Sequence, residues 1–226
     1  MFGENNMIEK KIKAIYSSMK DDENSRNRSW EHCHRFFLEN RQTSEHIEDM
    51  CLHLAFYLAS WGMLRGSSFL LQKDYLVHRP VIEILMENQY DVLWDCSAAN
   101  LLDDTVVSLI FACKGRIVQA YQDKTKVVGD IRSDGRTATD TLITKILLGT
   151  FGCTPAYDQY FCSGLREIGL SGKSFSQKSL QELAGFYRDH CEFENMRQVI
   201  KKGGINYPPA KLLDMYFWQI GYDADK

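Results

Sequence analysis

The residues best suited to chemistry in this chain of 226 residues lie in one short segment, from Thr144 to Asp158. Gly149 and Gly152 fall in its middle, where they predict a turn with exposed backbone amides. Such amides could hold one backbone phosphate of DNA, and Lys145 would add positive charge beside them. Asp158 supplies a carboxylate that could act on a base bound nearby.

The same segment resembles the hairpin of the helix-hairpin-helix DNA glycosylase superfamily, in which a glycine-rich turn joins two helices. The likeness covers about fifteen residues. It implies an all-α fold, DNA binding through the hairpin, and excision of a flipped base by Asp158, with Lys145 as the lysine that assists in some members. Two features differ from the family: Gly149 and Gly152 are more widely spaced, and Asp158 follows the turn more closely than the catalytic aspartate does.

An ordinary corner between two helices explains the same residues without DNA. Gly149 would end the first helix, and Pro155 would open the next one, where its fixed backbone angle is favourable. Asp158 would then form a surface salt bridge. Both interpretations place a helical hairpin near residues 139–164.

A second group of candidate residues lies at the end of an apolar helix and would bind a substrate. Trp61, Arg65, Ser67 and Ser68 bring together an indole, a guanidinium and two hydroxyls. A guanidinium and hydroxyls at a helix junction suit a phosphate or a carboxylate. The alternative is structural: a serine caps the following turn, and Arg65 pairs with a carboxylate or with carbonyls at the helix end.

A small basic group near the carboxyl end predicts further contact with DNA. Lys201 and Lys202 precede two glycines, and Lys211 follows in a segment that also contains Tyr207 and Trp218. Lysines and aromatic rings suit phosphates and bases. The alternative is a helix that ends in lysines, because cations are favourable at the carboxyl terminus of a helix.

Neither a metal nor a cofactor is expected from the sequence. His32, Cys33 and His34 are adjacent, so their side chains would point in different directions on a helix, and no further motif completes a zinc site. The sequence contains no phosphate-binding or dinucleotide-binding glycine motif and no G-x-S-x-G motif. These observations argue against kinase, Rossmann-type and serine-hydrolase functions.

Amphipathic periodicity predicts that helices position all of these residues. The strongest pattern runs from Ser44 to Gly66, and we expect it to form a buried central helix. The other predicted helices are 80–94, 105–121, 139–148, 155–164, 176–187 and one that begins at Pro208 or Pro209. Residues 123–138 contain glycines and charges but few apolar side chains, and they predict a flexible loop. The whole pattern predicts one compact all-α domain over residues 1–226.

Composition limits the class of protein. Hydrophobic residues make up 44% of the chain and charged residues 25%, which is typical of a globular domain. The longest apolar stretch is interrupted by polar residues, so we expect no membrane span, and no export signal is recognised. Seven scattered cysteines indicate a reducing compartment and a cytoplasmic protein. The net charge of −3 means that DNA binding would need a local basic surface.

The sequence leaves functions from different classes open. The first hypothesis is a DNA-associated helical protein related to base-excision enzymes, either active or an inactive relative. The second is a non-enzymatic protein that binds a protein partner or a second copy of itself, which the many aromatic and methionine residues favour. A third is an enzyme that uses Arg65 and the two serines to hold a small anion.

Overall fold

The structure is a computed structural model that describes residues 5–66, 68–94, 96–125, 138–170, 174–204 and 206–226. Within these ranges the chain forms helices and no β-strand, which confirms the predicted all-α class. The α-helices described are α1 (Asn5–Asp21), α2 (Arg28–Asn40), α3 (Ile47–Ser60), α4 (Arg79–Leu85), α5 (Asp104–Thr125), α6 (Asp140–Gly149), α7 (Gln159–Glu167), α8 (Gln177–Asp189), α9 (Glu192–Lys201) and α10 (Pro209–Ala224). Short 3-10 helices span Phe69–Gln72, Tyr75–His78, Asn88–Leu93 and Asn100–Leu102. None of the helices in these ranges is both long and apolar enough to cross a membrane.

Two helices, α6 and α10, occupy the centre of the core. Every residue of α6 from Leu142 to Gly149 is buried, and so is every residue of α10 from Pro209 to Phe217. Helix α3, which we expected at the centre, buries one face, where Met50, Cys51, Leu54, Tyr57 and Leu58 are at most 2% exposed, whereas Leu52 is 54% and Phe56 65% exposed on the other. Apolar side chains occupy both faces of α3, so its composition alone does not distinguish a central helix from a peripheral one.

Capping residues set the helix boundaries. Thr139 and Ser176 cap α6 and α8 with their side chains, at the positions where the sequence predicts these helices to begin. Helix α3 ends earlier than predicted, at Ser60, because Gly62 adopts a left-handed conformation with a φ of +73° and closes the helix. The predicted loop at 123–138 falls largely outside the described residues, since 126–137 are not among them.

The connection between α6 and α7 is longer than a tight turn. Residues 150–157 have no helical structure and are buried throughout. Pro155 lies within this connection rather than at the start of a helix. Helix α7 begins at Gln159, because the Asp158 carboxylate accepts a hydrogen bond from Phe161 N at 3.1 Å and satisfies a backbone donor of the first turn.

Two glycines let α7 and α10 pack in direct backbone contact. A Cβ atom at Gly164 would lie 1.9 Å from the carbonyl oxygen of Phe217. A Cβ atom at Gly221 would lie 1.9 Å from the carbonyl oxygen of Tyr160. Because α7 begins directly after Asp158, this close packing fixes the position of that carboxylate relative to α10.

Substituting Gly164 by alanine should therefore destabilise the fold. The added methyl group would overlap the backbone of α10 and push the two helices apart, and overpacking of this kind costs about 1–3 kcal/mol or more. Gly185→Ala in α8 is the matched control, because a Cβ atom there meets nothing within 4 Å. That variant should be as stable as the parent, or more stable by about 0.5–1 kcal/mol. Urea unfolding measures both, and equal stability of the two variants would contradict the close contact.

Candidate functional site

Lys145 and Asp158 meet as an ion pair inside the protein. Lys145 projects from α6, and Asp158 is the residue that caps α7. Lys145 Nζ donates a hydrogen bond to Asp158 Oδ2 at 2.9 Å, and the two side chains are 3% and 17% exposed. The charges therefore interact with less screening by water than those of a surface salt bridge.

Hydrogen bonds from the backbone hold the segment before Asp158 in place. Tyr157 N donates to Thr144 Oγ1 at 2.9 Å, and Ala156 N donates to Asp214 Oδ1 at 3.1 Å. Thr144 belongs to α6 and Asp214 to α10, so both central helices orient this segment. One oxygen of Asp158 caps α7 and the other accepts from the buried ammonium. The carboxylate is thus oriented before any ligand binds.

A second ion pair lies beside the first one. Lys211 Nζ donates to Asp214 Oδ2 at 3.0 Å, and both side chains are almost fully buried. The indole ring of Trp61 joins the two pairs, because Lys145 Nζ lies 5.1 Å and Lys211 Nζ 5.9 Å from the ring centre. The electron-rich face of an indole stabilises a cation at such distances. We call these five residues, Lys145, Asp158, Lys211, Asp214 and Trp61, the Trp61 site.

Trp61 connects the buried charges to the surface. The exposed guanidinium of Arg26 lies over its ring, 5.0 Å from the ring centre, and the ring of Trp218 meets it edge-on at 6.1 Å. Trp61 Nε1 is itself buried, and no acceptor for it lies within the described ranges. A buried donor without an acceptor is costly, so a ligand oxygen or nitrogen beside this N–H would be stabilised.

Tyr57 of α3 places a phenol near both aspartates. Its ring lies so close to Gly149 that a Cβ atom there would be 2.4 Å from Tyr57 Cε1. Burial raises the pKa of Tyr57 well above its usual value, and the neighbouring Asp214, Cys33 and Asp158 raise it further. The phenol therefore stays neutral and can donate a hydrogen bond.

Gly149 and Gly152, the glycines predicted to bind DNA, lie inside the protein. The N–H of Gly152 donates to the carbonyl oxygen of Leu147 at 2.8 Å, so it is already bonded within the chain. A Cβ atom at Gly152 would lie 2.6 Å from Pro208 Cγ. In this structure both glycines allow close packing around the Trp61 site, and neither presents its backbone to solvent.

The lysines predicted to bind DNA are not brought together. Lys201 and Lys202 are exposed at the end of α9. Lys211 is buried on α10, where it pairs with Asp214. Lys201 and Lys202 can therefore meet a phosphate at the surface, whereas Lys211 can act only at the Trp61 site.

The group predicted to bind a substrate is brought together only in part. Trp61 is in the site. Arg65 is exposed, and its side chain lies over Gly62, with Nε 3.2 Å from the position that a Cβ atom on Gly62 would take. Ser68 caps the first 3-10 helix by accepting a backbone N–H at 3.3 Å, which is the structural role given as the alternative. Ser67 lies outside the described residues.

The adjacent residues His32, Cys33 and His34 do not converge. His32 is exposed, and burial raises the pKa of the Cys33 thiol, which disfavours the thiolate that binds metals. His34 stacks on Trp30 at 4.8 Å, and its Nδ1 lies 2.7 Å from the carbonyl oxygen of Thr150. Within the ranges that the structure covers, no group of three or more His, Cys, Asp or Glu side chains could hold a metal ion.

The sequence pointed to neither Arg26, Tyr57 nor Asp214 at the site, and it named Trp218 only with the basic group near the carboxyl end. Asp214 follows Lys211 by three positions on a helix, and this spacing is the one local signal that could have revealed it. The other three reach the site from distant parts of the chain. Only tertiary packing brings them together.

The Trp61 site combines the groups that acid–base catalysis requires. It has two carboxylates, two ammonium groups and a neutral phenol nearby, mostly shielded from water. No protein-family model matches the chain, and no curated protein or solved structure matches it either. The functional proposal therefore depends on the geometry of this site.

Lys145→Met and Asp158→Asn should each destabilise the fold, because each leaves one charge inside the protein without its partner. Breaking a buried pair costs about 3–5 kcal/mol, and the partial exposure of Asp158 should reduce this to about 2–4 kcal/mol. Asp158→Asn keeps an oxygen that can cap α7, so its effect reports mainly the lost charge. The double variant should lose less stability than the two single variants together.

Urea unfolding of the four proteins measures this coupling. The matched control is the exposed pair of Lys13 and Glu9 on α1, which are 3.0 Å apart. Lys13→Met and Glu9→Gln should show a coupling of about 0.5 kcal/mol or less. Additive effects at Lys145 and Asp158 would contradict the pairing described above.

Proposed function

We propose that this protein is a DNA-associated enzyme that removes a base from DNA by breaking its N-glycosidic bond. The observation that carries the proposal is the shielded ion pair of Lys145 and Asp158 beside the ring of Trp61. A carboxylate next to a proton donor and an aromatic surface are the groups that base excision needs. The resemblance of residues 144–158 to helix-hairpin-helix DNA glycosylases points to the same lysine and aspartate.

The pair can carry out hydrolysis with a balanced exchange of protons. Water adds to C1′ of the sugar while the bond from C1′ to the base nitrogen breaks. Asp158 accepts the proton that the water loses and stabilises positive charge on the sugar, and the Lys145 ammonium donates a proton to the departing base. The proton then passes from Asp158 to Lys145 along their hydrogen bond of 2.9 Å, so the pair returns to its starting state.

The surroundings of the pair supply contacts for a base. Once Arg26 moves from the exposed side of the Trp61 ring to a phosphate, the ring offers a flat apolar surface, and Nε1 is a donor for the oxygen and nitrogen acceptors that bases carry. Tyr57 adds a neutral phenol near Asp158. Lys211 and Asp214 position this surface without taking part in the proton exchange, because Asp214 holds Ala156 and Lys211 holds Asp214.

Exposed cations supply the contacts for DNA phosphates. Arg26 lies over Trp61 at the surface, Arg65 is exposed over Gly62, and Lys201 and Lys202 end α9. The proposed interface uses these side chains instead of the backbone of Gly149 and Gly152, which lies inside the protein. A guanidinium suits this role because it binds phosphate through two parallel hydrogen bonds.

Incubation of the protein with end-labelled DNA tests the proposal. Each oligonucleotide carries one uracil, hypoxanthine, 8-oxoguanine or alkylated adenine, in duplex and single-stranded form, and alkali converts each abasic site into a strand break. We expect excision of at least one of these bases. Asp158→Asn should slow it by about a hundredfold or more, because acid–base catalysis of this kind contributes about 10²–10⁴-fold.

Asp189→Asn is the matched control for this assay. Asp189 pairs with Arg188 on the surface of α8, far along the chain from the Trp61 site, and both side chains are more than half exposed. This variant should excise bases at the parental rate. Absence of excision from every substrate would contradict the proposal, and so would full activity in Asp158→Asn.

A further inference from the structure

Four aromatic rings form a continuous, partly exposed surface beside the Trp61 site. Trp218 and Tyr222 of α10 stack at 4.9 Å with an angle of 13° between their planes. Tyr160 of α7 meets them edge-on at 5.4 and 5.5 Å, and Trp61 meets Trp218 edge-on at 6.1 Å. We call these four residues, Trp61, Tyr160, Trp218 and Tyr222, the aromatic surface.

Cations without acidic partners border the aromatic surface. Arg26 lies over the rings of Trp61 and Trp218, at 5.0 and 5.9 Å from their centres, and Lys226 lies 4.6 Å from the centre of Tyr222. Arg65 is exposed, and its side chain lies over Gly62, the residue after Trp61. None of these three cations forms a salt bridge with any residue that the structure describes. Two aspartates, Asp223 and Asp225, also border the surface, and each is bonded to a neighbouring side chain.

The two aspartates are bonded to neighbouring side chains. Asp223 pairs with Lys11 at 2.5 Å, and Asp225 accepts a hydrogen bond from the Tyr160 hydroxyl at 3.3 Å. The bond from the Tyr160 hydroxyl leaves the charge of Asp225 in place, so among the described residues the surface has three cations without a salt bridge against one such carboxylate, in a chain whose net charge is −3. An anionic ligand with flat aromatic parts fits this combination of cations and rings.

The aromatic surface is continuous with the ion pair of Lys145 and Asp158. Trp61 belongs to both, since its ring lies near Lys145 Nζ and against Trp218. Tyr160 follows Asp158 by two positions at the start of α7. A chain of nucleotides that stacks on these rings would thus lead one nucleotide towards the carboxylate.

We propose that the aromatic surface binds the unpaired bases of single-stranded DNA. Arg26 and Lys226 move from the ring faces that they cover to the phosphates, and Arg65 also contacts the phosphates. Base pairing in a duplex leaves ring faces covered by the neighbouring bases, whereas an unpaired base can stack on a protein ring. Three cations are few for a duplex, whose binding depends on neutralising many phosphates. The claim that single-stranded DNA is the substrate rests on the proposed function. The claim that the aromatic surface binds single-stranded DNA does not.

Fluorescence anisotropy with a labelled twelve-nucleotide oligothymidylate tests the binding. We expect it to bind more tightly than a duplex of the same length, with a log–log salt slope of about −2, as three phosphate contacts on a single strand predict. Tyr222→Ala should weaken binding by about tenfold, because it removes one stacking ring. Tyr75→Ala is the matched control: Tyr75 is another partly exposed tyrosine, 39% exposed in a separate 3-10 helix, and its loss should change nothing.

Arg26→Gln is a second variant in case Tyr222→Ala unfolds the protein. It removes the cation over Trp61 and Trp218 and should weaken binding and make the salt slope shallower by about 0.7. Binding that both variants leave unchanged would overturn the proposal, as would tighter binding of the duplex. Light scattering adds a further outcome: a dimer that Tyr222→Ala dissociates would assign the surface to a second copy of the chain.

The two proposals fail in different ways. If the protein excises bases from duplex DNA but does not bind oligothymidylate, the inference about the aromatic surface is wrong and the proposed function stands. If oligothymidylate binds through Tyr222 and Arg26 but no base is excised, the aromatic surface is a DNA-binding site and the proposed function is wrong.

Discussion

The site depends on one interaction, the hydrogen-bonded ion pair of Lys145 and Asp158. A lysine on the most buried helix of the core would be strongly unfavourable without a counter-charge. Asp158 provides that charge, and the ring of Trp61 adds a second favourable contact for the ammonium. Replacing a buried ion pair with apolar side chains is often neutral or stabilising, so stability alone does not account for a lysine at this position.

Much of the surrounding architecture keeps the carboxylate of this pair in place. Gly164 and Gly221 bring α7 against α10, and the cap on α7 orients Asp158. Asp214 holds the preceding backbone, and Lys211 in turn neutralises Asp214. Helices α7 and α10 therefore support the site by their direct packing, and α6 joins them through Lys145 and Thr144, whereas the rings of Trp61 and Trp218 connect the site to solvent.

Local patterns in the sequence predicted part of this structure. The all-α class and the caps at Thr139 and Ser176 follow from periodicity and from side chains that bond to their own helix, which are local effects. The prediction that α3 is buried holds for one of its faces only, because burial depends on neighbours that periodicity does not specify. The helix predicted to begin at Pro155 begins instead at Gln159, directly after the capping carboxylate of Asp158.

The site was predictable to the extent that its parts lie close together in the chain. Lys145 and Asp158 belong to one segment and were named together, and Trp61 was named as a separate binding residue. The structure brings all three to one place. Arg26 and Tyr57 could not be found in this way, because the segment before α2 and helix α3 reach the site only through tertiary packing. Trp218 was named with the basic group near the carboxyl end, but not with Lys145 and Asp158.

The most direct measurement is a proton–nitrogen NMR spectrum of the lysine ammonium groups, with the Lys145 signal assigned from its loss in Lys145→Met. The geometry predicts a resolved signal whose protons exchange slowly with water, and faster exchange in Asp158→Asn. If the ammonium of Lys145 exchanged as fast as that of the exposed Lys13, the lysine would be solvated and the ion pair that supports the site would not exist.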